Sequence, residues 1–284
     1  MLVAYDGSEG AANAIACAGP LLGPREALVV HAYLEFDPPD ADEAERLAAE
    51  GAQSAIASGL RAQPLAVEER DTTWQALTDC AREHAAVAIV AGARGRSAIA
   101  RALLGSVSNG LVHHSDIPVL VVPGKADPAR MQRPALLCYD ASPGSKRAIE
   151  AGGELLAARV ALVLHIWESW SAHAPTGLPL VGGSVGGMAR ELDEIAKEQS
   201  DDLAHAGVEE ATGAGFVGQP LSEGSSGVLW RRLLDVADEQ EASAIVLGSR
   251  GLSGLSGVLG SVSYGVIHHA ERPVLLVPSG TPNR

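Results

Sequence analysis

The run AIVAGARGRSAIARALLGS occupies residues 88–106, and AIVLGSRGLSGLSGVLGS occupies residues 244–261. Each begins as a short apolar run ending on a glycine, Gly92 or Gly248. A second glycine follows three positions on, and a Gly-Ser pair then stands before Val-Ser. A brief, wholly apolar run closed by glycine reads as a buried strand. The Gly-Ser pair reads as the opening of a helix. A glycine loop between a buried strand and a helix start lies where open α/β sheets bind ligands, at the carboxyl ends of the strands. The chain carries this arrangement twice, 156 residues apart.

The duplication runs along the whole chain. MLVAYDGSEGAANAI (1–15) matches ALLCYDASPGSKRAI (135–149) at an offset of 134, with Asp6 over Asp140. AQPLAVEERDTTWQAL (62–77) matches GQPLSEGSSGVLWRRL (218–233) at 156, with Trp74 over Trp230. SVSNGLVHHSDIPVLVVP (106–123) matches SVSYGVIHHAERPVLLVP (261–278) at 155. The second copy therefore has an insertion of 22 residues, expected in 168–187, and one residue fewer in its glycine loop. Residues 1–124 read as one domain and 134–284 as the other. The polar, proline-containing GKADPARMQRP (124–134) reads as the linker between them.

Within each copy strand-like and helix-like stretches alternate. In the first, LVAY, ALVVHAY (27–33), PLAVEE (64–69), VAIVAG (87–92) and PVLVV (118–122) read as strands. Helices are expected from Ser8, as N-cap, to Ala18, over 41–60, over Thr73–His84 and over SVSNGLVHH. This alternation predicts an α/β fold with parallel strands and right-handed crossovers.

Composition narrows the function. Aromatic residues are 4% of the chain against 46% hydrophobic residues, so the core must be aliphatic, as in parallel sheets covered by helices. The formal charge is −14, with 8 Lys/Arg against 16 Asp/Glu over 1–124 and 13 against 19 over 125–284. Acidity in both copies argues against nucleic acid or an anionic membrane as partner. Cys17, Cys80 and Cys138 are scattered without a CxxC spacing and read as reduced thiols of a cytoplasmic protein. The first residues show neither a basic region nor a long apolar stretch, which fits that expectation.

The loop chemistry points to an anion. Glycines at Gly92 and Gly95 let a ligand approach the backbone without a Cβ in the way. The helix opening at Gly105-Ser106 offers free amides and the positive end of a dipole. The hydroxyls of Ser106 and Ser108 add donors, and Arg94, Arg96 and Arg101 add charge. Turn glycines with a helix cap are the plain alternative for one such loop, and its recurrence favours binding. The chain has no GxxxxGK[ST], and YDGSEG follows the first strand where a dinucleotide fold would carry GxGxxG.

Asp at the end of strand one, then Gly-Ser or Ala-Ser, then G-x2-G-x9-G-S before V-S, resembles the universal stress protein family. HHSDIPVLVVP is similar to that family's last helix and strand. The resemblance spans nearly the whole chain as two tandem copies. It implies two open five-stranded parallel sheets of order 3-2-1-4-5, of the adenine nucleotide alpha hydrolase-like type, and membership of the ATP-binding branch. Asp6 and Gly92 would then face each other across a crevice. It places the adenine end of ATP at Asp6 and Ala32, and in the second copy at Asp140 and Ile166. Ribose and phosphates would lie on Gly92, Arg94, Gly95, Gly105, Ser106, Val107 and Ser108. The second set is Gly248, Arg250, Gly251, Gly260, Ser261, Val262 and Ser263. A divalent cation, Mg2+, would accompany the phosphates. The second loop departs from the pattern, with eight residues between Gly251 and Gly260 and no counterpart of Arg96 or Arg101. Weaker ATP binding is expected there.

The function this implies is nucleotide-dependent regulation, with slow hydrolysis or none. An enzyme of adenylyl or phosphoryl transfer using Ser106, Ser108 or Asp6, and a nucleotide-free interaction module, are the other readings. Asp6 and Asp140 could alternatively serve only the helix dipole, worth about 0.3–1 kcal/mol. His113-His114 and His268-His269 are adjacent on a helix, about 100° apart, which does not suit a shared metal ion. His31 and His165 read as core-edge histidines bonded to backbone, and Trp74 and Trp230 as packing residues. The apolar final strands would be exposed edges unless covered. The resemblance implies that they pair with each other inside one chain, as a pseudo-dimer, with a homodimer of chains as a further step.

Overall fold

The computed structural model describes residues 1–34, 39–95, 104–156, 159–172, 179–180, 183–251 and 259–280. Arg96, Arg101, residues 252–258 of the second loop, and 173–178 and 181–182 of the insertion lie outside them. The first copy contains β1 (Leu2–Ala4), α1 (Glu9–Leu22), β2 (Glu26–Tyr33), α2 (Pro39–Ala57) and β3 (Arg61–Glu68). It continues with α3 (Thr73–Glu83), β4 (Ile89–Gly92), α4 (Ser106–His114) and β5 (Val119–Val122). After a single 3₁₀ turn at Pro128–Arg130, the second copy runs β6 (Ala135–Cys138), α5 (Pro143–Leu156) and β7 (Val160–Glu168). A two-stranded hairpin of β8 (Pro179–Leu180) and β9 (Gly183–Ser184) precedes α6 (Val185–Gly213). The chain then forms β10 (Val217–Ser225), α7 (Leu229–Glu239), β11 (Ile245–Gly248), α8 (Ser261–His269) and β12 (Val274–Val277).

Ten of these strands make one sheet of order β10-β7-β6-β11-β12-β5-β4-β1-β2-β3. Each copy has the expected 3-2-1-4-5 order with parallel neighbours. The copies join where β5 and β12 pair antiparallel, Leu120 opposite Leu275 and Val121 opposite Val274. Every residue of these two strands is buried. A lone βαβαβ unit ending in VLVV would leave an apolar edge open; here the edge is consumed by its counterpart. One face of the sheet packs against α1, α2, α5 and α6 through residues such as Ile15, Ala52, Ile149 and Ala211. The other packs against α3, α4, α7 and α8 through Leu77, Leu111, Leu233 and Val266.

Two arginines at equivalent positions tie the copies together. Arg25 donates from Nη2 to the carbonyls of Glu154 and Leu155, at the end of α5. Arg159 donates from Nη2 to Leu21 O at 2.8 Å and Pro20 O at 3.4 Å, at the end of α1. The last carbonyls of a helix lack intrahelical partners and lie at its negative pole, so a guanidinium from the other copy satisfies both needs. The helix α1 runs on to Leu22, past the expected end at Ala18, with Pro20 inside it. The linker is packed rather than loose: Asn13 Nδ2 donates to Pro123 O and Ala126 O, both at 3.1 Å, and Met131 is buried.

The insertion extends further than expected. At 29 residues α6 is ten longer than the 19-residue α2, while their last residues are equivalent. The added helix is therefore residues 185–194, at the start of α6, which carries the insertion beyond its expected end at residue 187. Trp74 and Trp230 stack on His114 and His269, with ring centroids 4.7 and 4.4 Å apart. Each indole lies directly over a glycine, where a Cβ on Gly110 or Gly265 would come within 2.3 Å of Trp74 or Trp230.

Two substitutions check this account by urea unfolding. Gly265→Ala forces Trp230 off its seat and is expected to cost about 1–3 kcal/mol. Arg159→Met removes charged hydrogen bonds to carbonyls at the join and is expected to cost about 2 kcal/mol. An unchanged midpoint in either variant contradicts the corresponding contact.

Candidate functional site

The strands β1 and β4 are neighbours, but their following helices depart to opposite faces, and a cleft opens between the two loops. In the first copy Asp6 ends β1, and its Oδ1 accepts from Ser8 N at 3.0 Å. Ser8 in turn caps α1 by accepting from Ala11 N at 3.1 Å. Opposite, Gly105 N donates to Ala93 O at 2.7 Å, which pins the start of α4 beside the end of β4. The N-cap of α4 is Gly105, which has no side chain to cap the helix, and the first helical bond runs from Asn109 N to Gly105 O. The amides of Ser106, Val107 and Ser108 precede that bond, as in any helix opening.

These parts meet across a narrow gap. A Cβ on Gly95 would lie 2.5 Å from Asp6 Oδ2, so a side chain there makes the Asp6 carboxylate turn aside. The facing pair is thus Asp6 with Gly95, whereas the sequence suggested Asp6 with Gly92. Gly92 instead lies against the Gly10 carbonyl, where a Cβ would come within 2.7 Å. The resulting cleft has a volume of about 470 Å³. All nine of the candidate residues of this copy line it, from Asp6 and Ala32 to Ser108. Thr73 and Leu77 of α3 and Val30 of β2 line it too. Sequence reading missed these three because their helical or strand pattern accounts for them as core.

The second copy repeats the arrangement. Asp140 Oδ1 accepts from Ser142 N at 3.0 Å, Gly260 N donates to Ser249 O at 2.8 Å, and α8 is likewise capped by glycine. A Cβ on Gly251 would lie 2.6 Å from Asp140 Oδ2. The cleft, about 610 Å³, is lined by all nine candidates from Asp140 and Ile166 to Ser263. The shortened loop that distinguishes this copy is mostly outside the described residues.

Several side chains have settled duties. Ser108 donates its hydroxyl proton to Gly92 O at 2.6 Å, and Ser263 to Gly248 O at 2.8 Å. They brace the helix start against the strand end, so the serine hydroxyls left to an anion, beside the backbone amides, are those of the exposed Ser106 and Ser261. His31 Nδ1 donates to Tyr5 O at 2.8 Å, a backbone bond as expected. His165 differs: its Nδ1 lies 2.8 Å from Ser200 Oγ, which also accepts from Ser222. Burial holds the His165 imidazole below its ordinary value. Burial likewise pushes Cys138, in the second cleft, up to about 12, so its thiol stays neutral and unreactive. Among the described residues no group of three or more His, Cys, Asp or Glu is arranged to hold a metal ion. No helix among them is long and apolar enough to cross a membrane.

Comparison with known proteins agrees with this geometry. The profile of the Universal stress protein family matches residues 1–123 and again 131–278. A universal stress protein of Mycobacterium tuberculosis is 31% identical over 263 residues, 88% of this chain and 75% of that protein. One from Mycolicibacterium smegmatis is 32% identical over 254 residues, 83% of this chain and 77% of its own. The crystal structure of a universal stress protein from Archaeoglobus fulgidus superposes with a TM-score of 0.64 at 23% identity, covering 99% of this chain and 98% of that one. With both halves matched separately and the sheet order repeated in each, the chain belongs to the universal stress protein family as a tandem, two-copy member.

Proposed function

We propose that the chain is an ATP-binding regulator of the stress response, with its tighter ATP site in the first cleft and slow or no hydrolysis. The observation that carries this reading is the glycine-capped start of α4 held opposite Asp6, with Gly95 leaving the gap clear. Phosphates sit on helix-opening amides because the amides lack partners and the dipole end is positive. Ser106 and Arg94 line the same end of the cleft and add donors and charge. The apolar end, with Val30, Ala32 and Leu77, suits a purine ring.

Mg2+ fits this cleft as a passenger on the phosphates. It keeps several waters and takes only one or two carboxylates, and Asp6 is the carboxylate lining the cleft. Asp6, whose Oδ1 already accepts from Ser8 N, is taken by the Mg2+ in this reading. The other described side chains at the phosphate end, Ser106, Ser108 and Arg94, include no general base, and Ser108 is committed to Gly92 O. Efficient phosphoryl transfer needs a group that positions or activates the attacking oxygen. This favours a holding role over turnover. In this reading the β5–β12 seam makes each chain dimer-like in itself, and two chains associate further into a homodimer, which light scattering would detect.

Calorimetry tests the site directly. Gly95→Trp is expected to weaken the tighter ATP binding at least about tenfold, equivalent to about 1.4 kcal/mol. Gly251→Trp is expected to leave that binding in place, and equal losses in both variants would remove the asymmetry. ATP turnover by the purified chain is expected below about 0.01 per second. Turnover of many per second would replace the regulator with an enzyme. If heat-denatured protein releases no adenine absorbance and ATP fails to bind, the nucleotide reading is lost.

A further inference from the structure

The two clefts are lined by the same positions of the repeat, one for one, and they differ in a patterned way. At the anion end the Asp, the loop glycines and arginine, and the Gly-Ser-Val-Ser of the helix start are the same, while Ser145 stands where the first cleft has Ala11. At the other end the walls have changed. Leu164, Ile166, Leu229 and Leu247 stand where the first cleft has Val30, Ala32, Thr73 and Ala91. Each change enlarges an aliphatic surface, and the threonine hydroxyl is lost. Larger side chains should shrink a cavity, yet the second cleft has about 610 Å³ against about 470 Å³ in the first. The extra room goes with a more apolar lining. At its rim, α7 starts from Val228, half-exposed and without a side-chain cap, where α3 is capped by Thr72. The sequence between Gly251 and Gly260 also lacks any lysine or arginine, whereas the first loop has Arg96 and Arg101.

We infer that the second cleft binds a phosphate monoester with an aliphatic body, a ligand of lower charge and greater apolar area than a nucleoside triphosphate. The inference rests on the reading that the helix start in each cleft holds phosphate. One amide-lined end receives the head group, which needs fewer cations than a triphosphate. The leucine- and isoleucine-lined end rewards apolar area removed from water. The net charge of −14 opposes docking on an anionic bilayer, so the ester is taken from solution and not from a membrane.

The test uses octyl phosphate and ATP, titrated calorimetrically into the full chain. Gly95→Trp is expected to keep octyl phosphate binding and Gly251→Trp to abolish it, with ATP responding in the opposite sense. Restoring the first cleft's residues in the second, Ile166→Ala with Leu229→Thr, is expected to weaken octyl phosphate about tenfold. The reciprocal change, Ala32→Ile with Thr73→Leu, is expected to create octyl phosphate binding in the first cleft, a gain that a misfolded variant cannot mimic. Octyl phosphate binding that is absent, or equal in the two tryptophan variants, overturns the inference and leaves ATP binding in the first cleft standing. Loss of ATP binding alone, with octyl phosphate still confined to the second cleft, defeats the nucleotide reading and not this one. Sedimentation with phosphatidic acid vesicles that Gly251→Trp prevents would overturn the assignment to a free ester.

Discussion

The antiparallel seam between Val119–Val122 and Val274–Val277 is the contact on which the rest of this molecule depends. A five-stranded unit that ends in four consecutive apolar residues has no neighbour for its last strand and no solvent-tolerant face on it. Pairing the two ends buries both strands and produces one ten-stranded sheet from two smaller ones. Antiparallel pairing also relates the copies by an approximate two-fold axis, which brings the C-terminal end of α1 to Arg159 and that of α5 to Arg25. The hydrophobic seam and the arginine contacts are thus consequences of the same arrangement.

The clefts follow from topology at one remove from the seam. In each copy the chain reverses its order of strand addition between the first and fourth strands, so the loops after them separate. Small residues then control how closely these loops approach. Gly95 and Gly251 are placed where any side chain would strike the facing aspartate. The serines that follow the helix start are turned inward to hold it, leaving backbone amides for a ligand.

Much of this was legible in the sequence for identifiable reasons. Strands such as AIVAG and PVLVV are continuous apolar runs bounded by glycine or proline, and the duplication confirmed each reading against an independent copy. The eighteen candidate residues fell into two clefts because they stand at the carboxyl ends of strands, in the loops after them and at the helix starts, whose positions follow from the parallel order. What was not legible depended on packing between distant segments. The last turn of α1, beyond Ala18, meets Arg159 of the other copy, a contact no local pattern contains. The partner of Asp6 shifted from Gly92 to Gly95 because the path of a glycine loop is not contained in its spacing. His165 could not be paired with Ser200 before α6 was laid over β7. The start of α6 escaped notice because it lies in the insertion, where the second copy has no counterpart in the first to be read against.

The reciprocal arginines have a consequence for how such a chain can change over time. A residue in one half neutralises the end of a helix in the other, so neither half is self-sufficient at that point. Either copy, cut free, would leave a pair of carbonyls unanswered and a greasy border bare. Mutations can accumulate unequally in the two pockets, which open beside β4 and β11, one strand away from the shared border, while the border itself must be preserved by both. A fused pair is in this sense free to specialise one mouth without putting the architecture at risk.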